Sequence, residues 1–193
     1  GLCCSNLKAQ VVITEIFILQ ADNTHTPQYV ELYNDSDSTI SLENWSITTL
    51  GSNGDPLFET FFNTNNYVDI NNLEIDPFGY FLISSKWCVF SDTGCNFYNG
   101  YLSDIIAKWL ILPFDDTAEA WQFIDKGSII LTNNNNVEED RIDYDITAGW
   151  PVGENSRGHS LRLHVAPNSD NNDPNNWSLS PETEKSIWLY DDE

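Results

Sequence analysis

Apolar and polar residues alternate along short stretches of this chain, and polar turns separate the stretches. In residues 29–45, YVELYNDSDSTISLENW, the apolar Val30 and Leu32 alternate with larger polar residues. A period of two is typical of a strand whose two faces have different surroundings. The run NDSDS then interrupts the pattern with residues that bond their own backbone in turns. The stretch predicts two strands joined as a hairpin, with Trp45 sealing a small core.

Similar patterns along the chain predict further strands. They occupy residues 11–19, 46–50, 57–62, 67–75, 80–84, 128–131 and 137–144. The four asparagines at 133–136 fit a hairpin turn between the last two strands, because asparagine tolerates left-handed backbone. Glu15 and Glu31 lie within predicted strands, and we expect their carboxylates to be exposed. The elements therefore predict an all-β fold.

Residues 85–125 are unusually rich in aromatic side chains and break the regular spacing of strands. The apolar spacing in residues 102–112, LSDIIAKWLIL, allows one short helix that ends before Pro113. A buried strand fits the same run. The aromatic side chains form either the core of this segment or a binding surface, since large rings serve both purposes. The candidate ligand-binding residues are Trp87, Tyr98, Tyr101, Trp109 and Trp121.

Several short motifs follow one another in a characteristic order. They are VITEI (12–16), ELYN (31–34) followed by a turn and IxLxxW ending at Trp45, DPFGYFLI (76–83), GSIIL (127–131), RIDY (141–144), GHSLR (158–162), NW (176–177) and SP (180–181). Their order resembles the lamin-tail domain family over roughly residues 11–183. The resemblance implies an immunoglobulin-like β-sandwich of the lamin-tail type, with residues 85–125 as an insertion. Asn44 and Glu182 depart from the family, because each stands where the family has glycine.

Composition narrows the classes of partner. The 193 residues are 40% hydrophobic and 13% aromatic, which is typical of a single folded domain. Asp and Glu number 30 against 8 Lys and Arg, so the formal charge is −22. Such a surface repels phosphate, which argues against nucleic acid and anionic lipid as partners. No apolar run reaches the length of about eighteen residues that predicts a membrane span.

We divide the chain into three parts. Residues 1–10, GLCCSNLKAQ, resemble the end of a secretory signal with Ala9 at the cleavage position, or else they form a mature N-terminal arm. Residues 11–185 form the sandwich with its insertion. Residues 186–193 form an acidic tail or a link to a following domain.

The cysteines favour an extracellular location. Cys88 and Cys95 enclose the six residues VFSDTG, and a disulfide between them suits an oxidising exterior. Cys3 and Cys4 are adjacent, so they are removed with a signal or cross-link to other groups. We therefore expect a secreted or cell-surface protein.

Two turns carry hard oxygen ligands of the kind that calcium prefers. One holds Asp170, Asn172 and Asp173, and the other holds Asp35 and Asp37. The same residues are also good turn formers without any metal, because their side chains bond the local backbone. The sequence leaves both interpretations open, with calcium as the candidate cofactor.

Catalytic groupings are poorly represented. His159 and Ser160 are neighbours, so on a strand they would face opposite ways and could not act as a couple. The chain has no Gly-x-Ser-x-Gly motif and no glycine-rich phosphate loop. We predict that the protein is not an enzyme.

These features predict a non-catalytic extracellular adhesion or assembly module of a bacterial surface or secreted protein, the setting that the resemblance implies. Its partners would be a protein or polysaccharide at the cell surface, or further copies of itself. One alternative is a carbohydrate-binding accessory module of a secreted hydrolase, which a row of exposed Trp would favour. Another is the subunit of an extracellular filament, in which residues 1–10 add a strand to a neighbouring sheet edge.

Overall fold

The computed structural model of the chain describes residues 9–17, 29–62, 73–84, 107–111, 125–152, 159–167 and 169–180. Within these ranges the backbone forms strands and one short 3-10 helix at Pro174–Asn176. The strands are β1 (Val11–Phe17), β2 (Tyr29–Asn34), β3 (Ile40–Ser41), β4 (Ser46–Leu50), β5 (Pro56–Phe61), β6 (Glu74–Ile75), β7 (Tyr80–Ser84), β8 (Ala107–Ile111), β9 (Lys126–Thr132), β10 (Glu138–Asp145), β11 (Leu161–Leu163) and β12 (Trp177–Leu179).

The strands form two main sheets, and the predicted all-β sandwich is confirmed. The six-stranded sheet has the order β12-β11-β1-β2-β7-β8, and the four-stranded sheet has the order β10-β9-β4-β5. A third, two-stranded sheet pairs β3 with β6. Neighbouring strands are antiparallel except for β7 and β8, which run parallel.

One hydrophobic cluster joins the two main sheets. Inward-facing residues of β1, β2, β4, β7, β9 and β10 form most of it, because successive side chains of a strand point to opposite faces. Its members include Val11, Ile13, Ile16, Val30, Leu32, Trp45, Ile47, Phe81, Ile83, Ile129, Leu131, Ile142, Tyr144, Trp150 and Trp177. The ring centroids of Trp150 and Trp177 are 5.5 Å apart. Trp45 is also buried in this core, so its predicted role is confirmed.

The hairpin predicted for residues 29–45 is wrong, although both of its strands exist. β2 lies between β1 and β7, whereas β3 pairs with β6 through Ile40 and Ile75. Asn34 at the end of β2 is fully buried, and its Nδ2 donates to the carbonyl oxygens of Ser38 (2.7 Å) and Ile75 (3.1 Å). The turn therefore leads the chain from one sheet to another. The local pattern predicted the strands, but their partners lie elsewhere in the sequence.

The short helix predicted within residues 102–112 is wrong for Ala107–Ile111, which form the strand β8. The alternative strand interpretation is confirmed for these five residues. β8 pairs with β7 in parallel register, with Leu82 opposite Trp109. The edge of β7 supplies backbone partners that a helix could not use. Apolar spacing over so short a run does not distinguish the two structures.

The turn of four asparagines is confirmed as the connection between β9 and β10. Asn133 N donates to Val137 O (2.9 Å), and Asn136 has a φ of 58°. Asn44 likewise has a φ of 62°. Asparagine suits both positions because it enters the left-handed region at a lower cost than most residues. Of the strand predicted for residues 67–75, the structure describes Glu74–Ile75 as strand, and residues 67–72 lie outside the described ranges.

Candidate functional site

The predicted calcium loop lies against the edge of the four-stranded sheet. Asn172 Oδ1 accepts from the backbone N–H of Asp143 (2.6 Å), and Asn172 Nδ2 donates to the carbonyl of Arg141 (3.1 Å). The side-chain amide of Asn172 therefore forms one accepted and one donated hydrogen bond with β10, as the backbone of an additional strand would. Covering an edge in this way is one means by which proteins prevent unwanted strand pairing.

The two aspartates of this loop support its own backbone. Asp170 Oδ1 accepts from Asn172 N (2.9 Å), and Asp173 Oδ1 accepts from Asn175 N (2.9 Å) at the start of the 3-10 helix. These are the bonds of local turns. In the described part of the chain, no three or more His, Cys, Asp or Glu residues are grouped to hold a metal. Calcium binding by Asp170, Asn172 and Asp173 stays a prediction.

The second predicted pair, Asp35 and Asp37, lies in the turn after β2. Asp37 is exposed, and the backbone N–H of Asp35 donates to Gln10 O (2.8 Å). The buried Asn34 organises this turn, because its Oδ1 accepts from both the backbone N–H (3.0 Å) and the hydroxyl (2.7 Å) of Ser36. Calcium binding by Asp35 and Asp37 stays a prediction.

Asp140 joins three elements where the two main sheets meet. A register shift between Glu138 and Asp140 interrupts the pairing of β10 with β9. Asp140 Oδ2 accepts from the N–H of Ile13 in β1 (2.7 Å), and both carboxylate oxygens accept from Asn171 Nδ2 (3.0 and 2.8 Å). Burial raises the pKa of Asp140 to about 6, although the bonds donated by Ile13 and Asn171 lower it.

Sequence reasoning missed this junction. The available signal was the run Glu138-Glu139-Asp140 at the start of a strand, where three successive acids leave one carboxylate that must face inward. Asn171 is itself buried, and its carbonyl accepts from Trp177 Nε1 (2.8 Å). The predicted metal loop therefore anchors the core tryptophan and closes the seam between the sheets.

Glu15 corrects another expectation, because its side chain is buried and not exposed. The residue is 5% exposed, and its carboxylate accepts from Ser160 Oγ (2.5 Å) and pairs with Arg162 Nε (3.1 Å). Strand register places Glu15 between Arg162 on β11 and Glu31 on β2. Glu31 accepts from Thr14 Oγ1 (2.8 Å) and is half-buried. Charged side chains thus form a row across the outer face of the six-stranded sheet.

A pair of tyrosines lies on this outer face. Tyr33 on β2 is opposite Tyr80 on β7, and their ring centroids are 4.9 Å apart with the planes tilted by 46°. Tyr80 is 39% exposed. Partial burial raises the pKa of the Tyr80 hydroxyl, and the nearby Glu31 carboxylate acts in the same direction. The pair offers ring surface and two hydroxyl groups beside the charged row.

His159 and Ser160 have separate structural partners, in agreement with the expectation that they form no couple. His159 Nδ1 lies 3.0 Å from Ser180 O, and Ser160 is buried with its hydroxyl bonded to Glu15. Both bonds fasten β11 to its neighbours. The Ser160 hydroxyl is therefore buried in a structural bond rather than presented to a substrate.

Most of the aromatic ligand-binding candidates lie outside the described residues. This applies to Trp87, Tyr98, Tyr101 and Trp121, and equally to the predicted disulfide between Cys88 and Cys95. Trp109 lies in β8, where its backbone position is described and its side chain is not.

Comparison of the chain with protein-family models gives no match, and comparison with curated proteins gives none. Within the described residues, no helix is long and apolar enough to cross a membrane.

Proposed function

We propose that this chain is a non-catalytic binding module that works in adhesion or assembly at a bacterial surface or in a secreted protein. The order of sequence motifs supports an immunoglobulin-like sandwich of the lamin-tail type. Asn44 supports this type further, because it occupies a left-handed turn position where the family has glycine. The predicted disulfide supports secretion, because disulfides persist in the oxidising exterior of the cell.

The observation that carries the proposal is the chemistry of β5. This strand is the last of the four-stranded sheet within the described residues. Leu57 is 48% exposed and Phe61 is 52% exposed, and the exposed Glu59 lies between them. A sheet edge with apolar side chains in solvent is a template for adding a strand from another chain. A second copy of this chain is the partner that we propose for this edge, because each copy presents the same strand.

Self-association at β5 is tested by sedimentation of the wild type at low and high salt. Two copies of charge −22 repel each other, so salt should strengthen the association by screening. Phe61→Lys should abolish it, because a lysine on an edge strand opposes strand addition. This loss would occur although the lysine lowers the repulsion between copies.

Val137→Lys is the matched control. Val137 is 55% exposed in the β9–β10 turn, and its replacement changes the net charge by the same amount. This variant should associate as the wild type does. A wild type that remains monomeric at every salt concentration would contradict assembly through β5.

The tyrosine pair favours the second function, carbohydrate binding. Rings that are half exposed on a sheet face can stack on sugars while their hydroxyl groups form hydrogen bonds. Tyr33→Ala and Tyr80→Ala should then each weaken retention of the protein in gels that contain a soluble neutral polysaccharide. Equal mobility of the variants and the wild type in every polysaccharide gel would exclude this site.

A further inference from the structure

The turn that leads into β7 holds a bulky residue in an unfavourable backbone conformation. Gly79 N donates to Asp76 O (2.9 Å), which defines a four-residue turn with Pro77 second and Phe78 third. Phe78 has a φ of 54°. A positive φ at the third position is the mark of a type II turn, where glycine or asparagine is favoured. An aromatic residue there is strained, and strain of this kind often accompanies function.

Hydrogen bonds from outside the turn hold this conformation. Asn34 Nδ2 donates to Asp76 O (3.0 Å), Asn34 N donates to Gly79 O (3.0 Å), and Phe78 N donates to Ser36 O (3.3 Å). A Cβ added to Gly79 would lie 3.0 Å from Asp76 O, so the close approach within the turn also favours glycine at that position. The fold therefore fixes the backbone of Phe78 from both sides.

The Phe78 ring gains little from this arrangement by burial. Phe78 is 57% exposed, the largest exposed fraction among the exposed large hydrophobic residues of the described chain. Tyr80, a member of the tyrosine pair, follows Phe78 by two residues. Asp76 within the turn is exposed, as is Asp37, which follows the residue that accepts the Phe78 N–H. The ring thus projects from a rigid turn with acidic residues close by.

We propose that Phe78 is the apolar anchor of a second interaction surface, which binds a polypeptide carrying Lys or Arg beside apolar side chains. Charge complementarity selects this partner, because the exposed Asp76 belongs to the same turn and the exposed Asp37 follows Ser36, whose carbonyl accepts the Phe78 N–H, in a chain of charge −22. An exposed phenylalanine can pack against the apolar side chains of such a polypeptide. It has no polar group with which to orient a sugar, which favours a polypeptide over a polysaccharide.

This surface is separate from β5 and does not depend on self-association. It lies at the turn before β7 of the six-stranded sheet, whereas β5 belongs to the four-stranded sheet. The two are measured by different readouts, so failure of one leaves the other intact.

The binding test uses two cationic polymers, a poly(L-lysine, L-phenylalanine) copolymer and poly-L-lysine of similar length. Attraction by net charge is common to both, so the difference between them reports apolar docking. The wild type should bind the copolymer about tenfold more tightly, the effect expected for one exposed aromatic anchor. Phe78→Asn should lose this preference. Val137→Asn, which removes another large apolar side chain that is 55% exposed and lies outside both surfaces, should retain it.

The second measurement is thermal unfolding. Asparagine accepts a positive φ more readily than phenylalanine, so Phe78→Asn should raise Tm by about 2–4 °C. Val137 has no positive φ, so the control Val137→Asn should not raise Tm. A variant that is more stable but has lost copolymer preference would show that the strained ring serves binding and not folding.

Three outcomes would overturn the proposal. The first is a Phe78→Asn variant that still prefers the copolymer. The second is a lowered Tm for that variant, which would mean that the ring stabilises the fold by packing. The third is Phe78-dependent binding to the amine-bearing polysaccharide chitosan without any preference for the copolymer, which would assign the surface to a glycan.

Discussion

At the scale of single residues, buried and half-buried polar side chains determine which distant parts of the chain are joined. Asn34, Glu15, Asp140 and Asn171 each bond groups that are far apart in the sequence. A buried polar group without partners costs about 1–3 kcal/mol, so such residues fix the neighbours that satisfy them. They act in this fold as specific links between elements.

The hydroxyl group of the buried Thr49 does not contribute to the stability of the fold. Thr49 is 1% exposed, and its Oγ1 has no hydrogen-bond partner in the described part of the structure. Thr49→Val keeps the shape and removes the unsatisfied group, so we expect a gain of about 1 kcal/mol in the free energy of unfolding. Urea unfolding measures it. Thr48→Val, on the opposite face, should give no such gain, and a destabilised Thr49→Val would contradict the prediction.

Asp140 should make stability depend on pH. Its pKa in the folded chain is about 6, above the ordinary value of 3.8, so the folded state holds the proton more tightly than the unfolded state. This contribution is fully present below about pH 4 and is lost as the pH rises to about 6. At about 1.4 kcal/mol for each pKa unit, the change is on the order of 2–3 kcal/mol.

Asp140→Asn isolates this effect because the amide does not titrate. The free energy of unfolding, measured in urea across pH 4–7, should fall less steeply for the variant than for the wild type. The offset at any one pH reflects the changed hydrogen bonds and carries no weight in this comparison. A difference between the two proteins that stays constant from pH 4 to pH 6.5 would contradict the prediction.

At the scale of elements, turns determine which sheet a strand joins. Asn34 bonds the turn after β2, the end of β6 and the turn before β7. Asn34→Ala would leave several of these backbone groups without a partner. We expect a loss of about 2–4 kcal/mol, measured by thermal or urea unfolding. Asn134→Ala, at an exposed asparagine of the β9–β10 turn, is the control and should have little effect.

The loop at residues 170–173 gives the test of calcium binding. Its aspartates use Oδ1 in turn bonds, and asparagine can make the same bonds. If the loop is a calcium site, millimolar calcium should raise Tm more than magnesium does, because magnesium tolerates irregular ligands poorly. Asp170→Asn combined with Asp173→Asn should remove the difference. Equal shifts by calcium, magnesium and sodium of matched ionic strength would indicate screening alone.

At the scale of the whole molecule, the sandwich is closed by side chains as well as by its core. Asn172 covers the edge of β10, and Asp140 bonds the backbone of β1 across the seam. The acidic surface, of charge −22, opposes compaction and association. Two copies of such a surface repel each other. The exposed apolar residues of β5 and of the turn before β7 are therefore exceptions on an otherwise acidic surface.

The predicted disulfide concerns the compartment in which the whole molecule works. Cys88 and Cys95 should be linked in protein folded under oxidising conditions, and mass spectrometry of a non-reduced digest should show one linked peptide pair. In the loop-entropy model, so short a loop contributes roughly 2–3 kcal/mol. A reduced and alkylated sample is the control. Free thiols at both positions would contradict the bond and weaken the secreted assignment.

The fold class was predictable because strand formation is a local property. Alternation in β2, β4 and β10, and the asparagine turn at 133–136, depend on neighbouring residues that the sequence shows directly. The burial of Trp45 followed for the same reason, since a large apolar residue at a strand end has few alternatives to the core. The sequence also determined the acidic surface, because composition fixes net charge whatever the fold.

Only the tertiary structure decided which elements pair and what the polar residues do. The strand β8 replaced a predicted helix because the edge of β7 offered backbone partners. Glu15 is buried because Arg162 and Ser160, some 145 residues away, reach its carboxylate. The strain at Phe78 was equally hidden, since Asn34 and Ser36 impose it from another turn. Each outcome depends on contacts between distant residues, and one sequence read locally carries no record of such contacts.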